Sequence, residues 1–442
     1  MFKGIFLVFA LVIASMFVTA VRSSGAWQSA SPTWLHKKPD VPSPTFDLGS
    51  SASPEPILKT DPDFSVAVFE DFAYELYAHA HCCANDRRQL DKLAAYLSSD
   101  AIETLQGRRA PVLQVVVGAL RVEGIRTKRA SSDLDEAASG HPEPHQHIAV
   151  RIESNLMFEQ QTLACVEHWL FARLEGVRSR APVRTHTWPC PSCGAPWVAT
   201  DDGRRCASCG QPTNAGRFDW AVEQIWVESA TSVGQTLTGT VEEAGTSEPT
   251  VVDRDAHRAL ASIAVDDPNV TLETISARAA MIYSRLNQAW NAMDMSAARG
   301  LVTRSMLDYL RYWTDAYKRQ GLANRLDGAV LHEVKLAKAT RDRYYDSITL
   351  RMFADGLDFT LDAKGNTVGG SPTTRRSYTE YWTFLRSSAR KGPVVATPSC
   401  PSCGAPLAIS DGGTCEHCQA EVENGSFDFV LSKIEQDESY SA

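Results

Sequence analysis

Two groups of four cysteines occur in this 442-residue chain with nearly the same spacing. Residues 190–210 read CPSCGAPWVATDDGRRCASCG, and residues 400–419 read CPSCGAPLAISDGGTCEHCQ. Each group consists of two CxxC pairs, which can close a tetrahedron of thiolates around Zn²⁺. The spacing therefore predicts two zinc ions per chain. The expected ligands are Cys190, Cys193, Cys206 and Cys209 in the first group, and Cys400, Cys403, Cys415 and Cys418 in the second.

Four protein ligands leave no open position for a reactive water, so these sites are expected to be structural. Iron in the same ligand set, or disulfides within each CxxC pair in an oxidising compartment, are the alternatives. A thioredoxin-type redox role is disfavoured, because that motif opens a helix after a strand and does not come in fours. Glycine follows a cysteine at positions 194, 210 and 404, where a left-handed residue closes the turn, but Gln419 stands at the fourth such place. The second site is therefore expected to be slightly looser.

The amino terminus carries a long apolar segment. Residues 5–21 contain no charge and are flanked by Lys3 and Arg22. This length predicts a single-pass anchor over residues 1–22 that places the protein in the cell membrane, with a cleaved export signal as the alternative. Residues 23–60 are rich in Ser, Pro and Ala, which is typical of a disordered linker.

The chain after this linker is written twice, and its length allows two or three domains. Asp61 and Asp267 each precede a segment with apolar residues at helical spacing, and a second helical stretch follows at 90–105 and 296–310. Strand-like alternation follows at 147–152 and 347–352. We therefore predict an α+β fold, built from two domains, two cysteine modules with closing segments, and a polar linker. Their predicted limits are 61–186, 187–228, 229–262, 263–396 and 397–436.

The most similar local stretches of the two copies are Glu-His-Trp-Leu-Phe-Ala-Arg at 167–173 and Glu-Tyr-Trp-Thr-Phe-Leu-Arg at 380–386. On a strand, alternate residues of each stretch lie on one face. These residues are Glu167, Trp169, Phe171 and Arg173 in the first copy, and Glu380, Trp382, Phe384 and Arg386 in the second. The aromatic side chains are expected to be core or to line a pocket, and each glutamate to pair with Arg151 or Arg351 on a neighbouring strand.

The stretch at 380–386, together with CPSCGAPL and the closing Phe427-Asp428-Phe429, resembles the Tim-forty-four-like (Tim44-like) domain family. That family is named for the matrix-side scaffold subunit of the mitochondrial inner-membrane import translocase. The resemblance implies tandem cone-like domains of the nuclear-transport-factor-two or cystatin-like type, with helices packed on a curved antiparallel sheet. It also implies contacts with membrane lipid and partner proteins, and no catalytic residues.

These observations predict a non-enzymatic, membrane-anchored zinc-binding scaffold or binding module that docks an unidentified protein partner or lipid. Arginines before each cysteine group (positions 173, 178, 180 and 184, and 386 and 390 with Lys391) would meet lipid head groups or form a solvated face. A ligand-binding or enzymatic use of the cone-shaped pocket is the first alternative. Nucleic-acid binding through the ribbons is the second, and the net charge of −9 counts against it.

Overall fold

The computed structural model places the described part of the chain in two units, one within residues 27–234 and the other within 235–442. Within the described residues, no helix is long and apolar enough to cross a membrane. The predicted anchor at 1–22 lies outside the described residues. These are residues 53–107, 110–127, 145–159, 161–179, 188–198, 200, 205–212, 216–233, 245–395, 399, 400, 402–406, 408–410, 414–420, 425–437 and 440.

The first unit begins with helices and ends with an antiparallel sheet. The helices are α1 (Glu55–Leu58), α2 (Val66–Cys83), α3 (Arg87–Leu90) and α4 (Ser99–Gln106), with a 3-10 turn at Asp91–Leu93 after α3. The strands are β1 (Gln114–Thr127), β2 (His145–Met157), β3 (Thr162–Leu174) and β4 (Ala221–Val233), paired in that order. Ser65 caps α2 by accepting a hydrogen bond from the Val68 N–H, which satisfies one of the free amides of the first turn.

The second unit repeats this order. Its helices are α5 (Ala256–Asp266), α6 (Leu272–Asn291) and α7 (Arg304–Arg319), with a 3-10 turn at Met295–Ala298. Its strands are β5 (Ala323–Arg341), β6 (Tyr345–Leu361), β7 (Thr367–Gly370), β8 (Arg376–Ser387) and β9 (Val430–Gln436). The sheet order is β5-β6-β8-β9, and β7 pairs with β6. Thr271 caps α6 at the place where Ser65 caps α2.

The two sheets share one register. In the first, Val150 of β2 and Ile225 of β4 lie opposite Trp169 of β3. In the second, Leu350 of β6 and Ile434 of β9 lie opposite Trp382 of β8. The predicted helices before the sheets and the strands around 147–152, 347–352, 167–173 and 380–386 are confirmed.

The second helical stretch of each copy is shorter than predicted. In the first unit it is interrupted before Ser98, whose hydroxyl caps α4, and in the second unit before Thr303, whose hydroxyl caps α7. Gly300 takes a left-handed φ of 71° in the second interruption. Caps and a left-handed turn outweigh the apolar spacing, which continues across both breaks.

Both predicted linkers are wrong at their ends. Helix α1 lies inside the predicted 23–60 linker, and Ile57 is fully buried. Strand β4 runs into the predicted 229–262 linker as a Ser- and Thr-rich edge strand, and α5 begins inside it at Ala256. Small apolar residues one helical turn apart bury one face of α5, although the segment around them is polar.

The cysteine modules do not follow finished domains, as predicted, but are inserted into the sheets. The first joins β3 to β4, and the second joins β8 to β9. The segments predicted to close the modules lead into the last strand of each sheet: β4 begins at Ala221, and β9 at Val430. The cause is the apolar alternation after Trp220 and Phe429, which completes the buried face of the sheet.

Candidate metal centres and buried signature residues

The structure brings each set of four cysteines together, with all four sulfur atoms within 4.8 Å of one another. The Sγ atoms of Cys190 and Cys209 are 3.9 Å apart, those of Cys400 and Cys418 are 3.9 Å apart, and those of Cys403 and Cys415 are 4.0 Å apart. Four sulfurs on a tetrahedron around zinc, each about 2.3 Å from the metal, are about 3.8 Å apart. The donor set and its spacing therefore fit a tetrahedral thiolate-bound ion and exceed the length of a disulfide, about 2.05 Å.

The four CxxC turns of the two modules have the same backbone geometry. In each, the residue after the second cysteine donates its N–H to the carbonyl of the first, at 2.7–2.8 Å. That residue has a left-handed φ of 74° at Gly194, 72° at Gly210, 75° at Gly404 and 61° at Gln419. The fourth turn therefore closes as the others do, and the second site is not looser in its backbone. Its cost is a non-glycine residue in the left-handed region.

Backbone amides stabilise some of the thiolates before any metal is considered. Burial opposes ionisation of Cys206, but hydrogen bonds from the backbone N–H groups of Cys209 and Ser208 lower its pKa to about 7. The backbone N–H of Ala420 is the main cause that lowers the pKa of Cys418 to about 7. Such N–H groups neutralise charge on metal-bound thiolates in the same way.

The two modules differ in how they pack. In the first unit, Cys190, Cys206 and Trp197 belong to the main hydrophobic core. The Trp197 indole N–H donates to the Asp91 carbonyl at 3.0 Å, and the Tyr96 hydroxyl donates to the Pro189 carbonyl at 2.7 Å. In the second unit, the buried Cys400 and Cys415 form a small cluster of their own with Ile409 and Phe427. The first module is thus continuous with its domain, and the second has a separate core.

The aromatic residues of the repeated strands lie inside their units. Trp169, Phe171, Trp382 and Phe384 are fully buried. Trp169 is 5.0 Å from the ring of Tyr77 on α2, and Trp382 is 5.8 Å from the equivalent Tyr283 on α6. Each long helix therefore packs against the same face of its sheet.

The arginines that end the two stretches form buried ion pairs. Arg173 donates to Asp61 at 2.8 Å, and Arg386 donates to Asp267 at 3.0 Å. All four side chains are at most 1% exposed. The basic clusters predicted before the cysteine groups therefore lose these two arginines to the core. Arg178 and Lys391 are exposed, while residues 180 and 184 lie outside the described part of the chain.

The predicted pairing of the glutamates with Arg151 and Arg351 is wrong. Arg151 lies opposite His168, on the other face of the sheet from Glu167, and pairs with Glu153 and Glu228. Arg351 pairs with Asp437 at 2.7 Å. Because side chains alternate between faces, an odd offset in the register separates each arginine from its expected partner.

The partner of Glu167 is His81, a residue that the sequence reasoning missed. His81 Nε2 lies 2.8 Å from Glu167 Oε2, and both side chains are fully buried. The signal was present, since His81 lies one helical turn after Tyr77 on the same face of α2. In the second unit the same helix position is Asn287, and Glu380 instead accepts from the Trp382 indole at 2.9 Å.

Comparison with known proteins bears on the second unit. The family described as the Tim44-like domain matches residues 256–394, from the first residue of α5 to the segment just before the second cysteine module. No curated protein matches the chain. The matched range contains the Asp267–Arg386 pair, Tyr283 and the whole of β8. Residues 256–394 of this protein are therefore a Tim44-like domain.

Proposed function

We propose that this protein is a non-enzymatic, zinc-binding scaffold that docks protein or lipid at a membrane surface. The observation that carries the proposal is the Tim44-like domain at 256–394, because the name and the predicted role of that family concern a membrane-associated scaffold. The shared register of the two sheets supports a second domain of this kind in the first unit. The proposed cellular location is a membrane, with residues 1–22 as a single-pass anchor.

Zinc is the proposed ion at both cysteine clusters. Four thiolates at tetrahedral spacing suit this ion, and each cluster supplies all four ligands from the protein. Bound there, zinc would hold the two halves of each module together and would have no position for substrate. Its role would be to keep the long β3–β4 and β8–β9 connections in one conformation.

Vesicle flotation of the chain without residues 1–22 tests the docking proposal. We expect the truncated chain to float with vesicles that contain anionic lipid, and the bound fraction to fall as salt screens the interaction. Neutral vesicles are the control. If the truncated chain stays in the soluble fraction at low salt with every lipid mixture, lipid docking is wrong and a protein partner is the remaining target. Pull-down from solubilised membranes then tests that partner.

Metal analysis tests the zinc proposal separately. The chain purified without chelators is expected to hold about two zinc ions, and Cys206→Ser or Cys415→Ser is expected to reduce this to about one. A preparation with no zinc, or with iron in its place, would contradict the assignment while leaving the scaffold proposal open.

A further inference from the structure

The interior of the second unit contains buried polar atoms that have no hydrogen-bond partner among the described residues. They are Nδ2 and Oδ1 of Asn287, Nε1 of Trp313, Oη of Tyr317 and Oδ2 of Asp358. These residues are at most 7% exposed. Buried polar groups in folded proteins are normally paired, so several unpaired ones in one core indicate a molecule that supplies their partners.

These atoms belong to one region. The Trp290 ring is 6.1 Å from the Tyr317 ring, and its indole N–H donates to Asn324 at 2.8 Å. The Asn324 amide in turn donates to the other oxygen of Asp358 at 2.9 Å. Tyr317 and Asp358 therefore lie beside the same tryptophan.

Asn287 and Trp313 lie one helical turn from this group. Asn287 is three residues before Trp290 on α6, and Trp313 is four residues before Tyr317 on α7. Since residues three or four apart share a helix face, both side chains point into the interior that contains Trp290 and Tyr317.

The first unit shows how the same position is filled when it is closed. There His81 takes the place of Asn287, and its ring reaches Glu167 at 2.8 Å. The asparagine side chain is shorter, and neither of its amide atoms bonds to the equivalent Glu380 or to any other described residue. The two units therefore differ at the point where helix and sheet face each other.

The chemistry of the unpaired atoms restricts what can bind. Asn287, Trp313 and Tyr317 offer donors, whereas Asn287 and Asp358 offer acceptors. A simple ammonium ion has no acceptor for the donors. An anion would be repelled by the buried carboxylates of Asp358 and Glu380. An uncharged molecule with both a donor and an acceptor meets all requirements, and the aromatic walls favour an apolar body.

We propose that the interior of the second unit binds a small uncharged molecule that bears an amide or hydroxyl group, held by Asn287 and Trp313. The first unit does not bind such a molecule, because the His81–Glu167 pair occupies the equivalent position. This site is independent of the scaffold function proposed above, since it concerns the core of the domain and not its surface.

Titration of the full-length chain with three small aromatic probes, followed by ligand-observed NMR, tests this proposal. Benzamide is neutral and carries both a donor and an acceptor, benzoate is its anionic analogue, and benzylamine its cationic one. We expect benzamide to bind with a Kd of about 1 mM or tighter, and the charged probes at least about ten-fold more weakly. Absence of benzamide binding, or equal binding of benzoate, would overturn the proposal.

Two substitutions locate the binding. Asn287→Leu removes both amide atoms at similar volume and is expected to weaken benzamide binding at least about ten-fold. Asn287→His copies the first unit, and is expected to weaken binding as much while keeping the fold, which circular dichroism checks. If Asn287→Leu does not fold, Asn287→His decides. Asn366→Leu, on an exposed turn of the same unit, is the control. Unchanged binding in folded Asn287→His would overturn the assignment.

Discussion

Arg386 on β8 and Asp267, just before α6, form an ion pair 3.0 Å long in which neither side chain is more than 1% exposed. The pair connects the strand that carries Trp382 to the start of the helix that packs on it. Asp267 also accepts from the Gly392 N–H at 3.0 Å, so the same carboxylate holds the chain that leaves β8. Asp61 and Arg173 repeat this connection in the first unit at 2.8 Å.

Removing one partner of this pair is expected to be costly. Arg386→Leu leaves the Asp267 carboxylate buried without its cation, and we expect the free energy of unfolding to fall by about 3–5 kcal/mol in urea denaturation. Arg375→Leu is the control, because Arg375 is 43% exposed beside Asp355 and its pair should contribute no more than about 1 kcal/mol. Similar losses from the two variants would show that burial of the Arg386 pair has no special effect.

The two cysteine modules should respond differently to metal removal. The first shares a core with its domain, so a chelator is expected to raise amide hydrogen exchange beyond the module, around the 3-10 turn at Asp91–Leu93 and Tyr96. In the second unit the increase should be confined to residues 399–420, since Cys400 and Cys415 form a separate cluster. Mass spectrometry of exchanged peptides measures both, and equal spread in the two units would contradict this difference.

The turn at Gln419 offers a stabilising substitution. Its φ of 61° is left-handed, which costs about 1 kcal/mol or more for a residue with a Cβ. Gln419→Gly is therefore expected to tighten metal binding at the second module about five-fold in a chelator competition assay. Gly210→Gln, the reverse change in the first module, should weaken binding there by a similar factor. No change in either variant would mean that the turn is free of this strain.

His168 gives the first unit a pH-dependent contribution to stability. Burial alone would lower its pKa, but hydrogen bonds to Glu123 at 3.0 Å and Glu228 at 2.9 Å outweigh burial and raise it. Because the folded pKa is raised, the stabilisation is complete below the unfolded value, about 6.5, and is lost as pH rises through the folded value.

Thermal unfolding of wild type and His168→Gln across this range measures the effect. The difference in Tm between them should be largest at pH 6 and should shrink as the pH rises above 7. His332→Gln is the control, since His332 is 54% exposed beside Asp355. A Tm difference that stays constant with pH would rule out titration of His168 as the cause.

Local patterns were enough to predict much of this protein. The CxxC spacing identified the eight cysteines that the structure brings together, because ligands that are close in sequence form each half of a site. Two-residue alternation identified the strand faces of Trp169 and Trp382, because strand geometry is set by the backbone alone.

Only the tertiary structure decided which distant residues meet. The partners of Arg173, Glu167 and Arg351 depend on strand register and helix packing, and a one-residue offset sends a side chain to the other face. Tertiary packing also decided that the cysteine modules are inserted before the last strands, since β4 and β9 pair with strands far away in sequence. Short-range spacing is a property of the chain, whereas long-range contact is a property of the folded core.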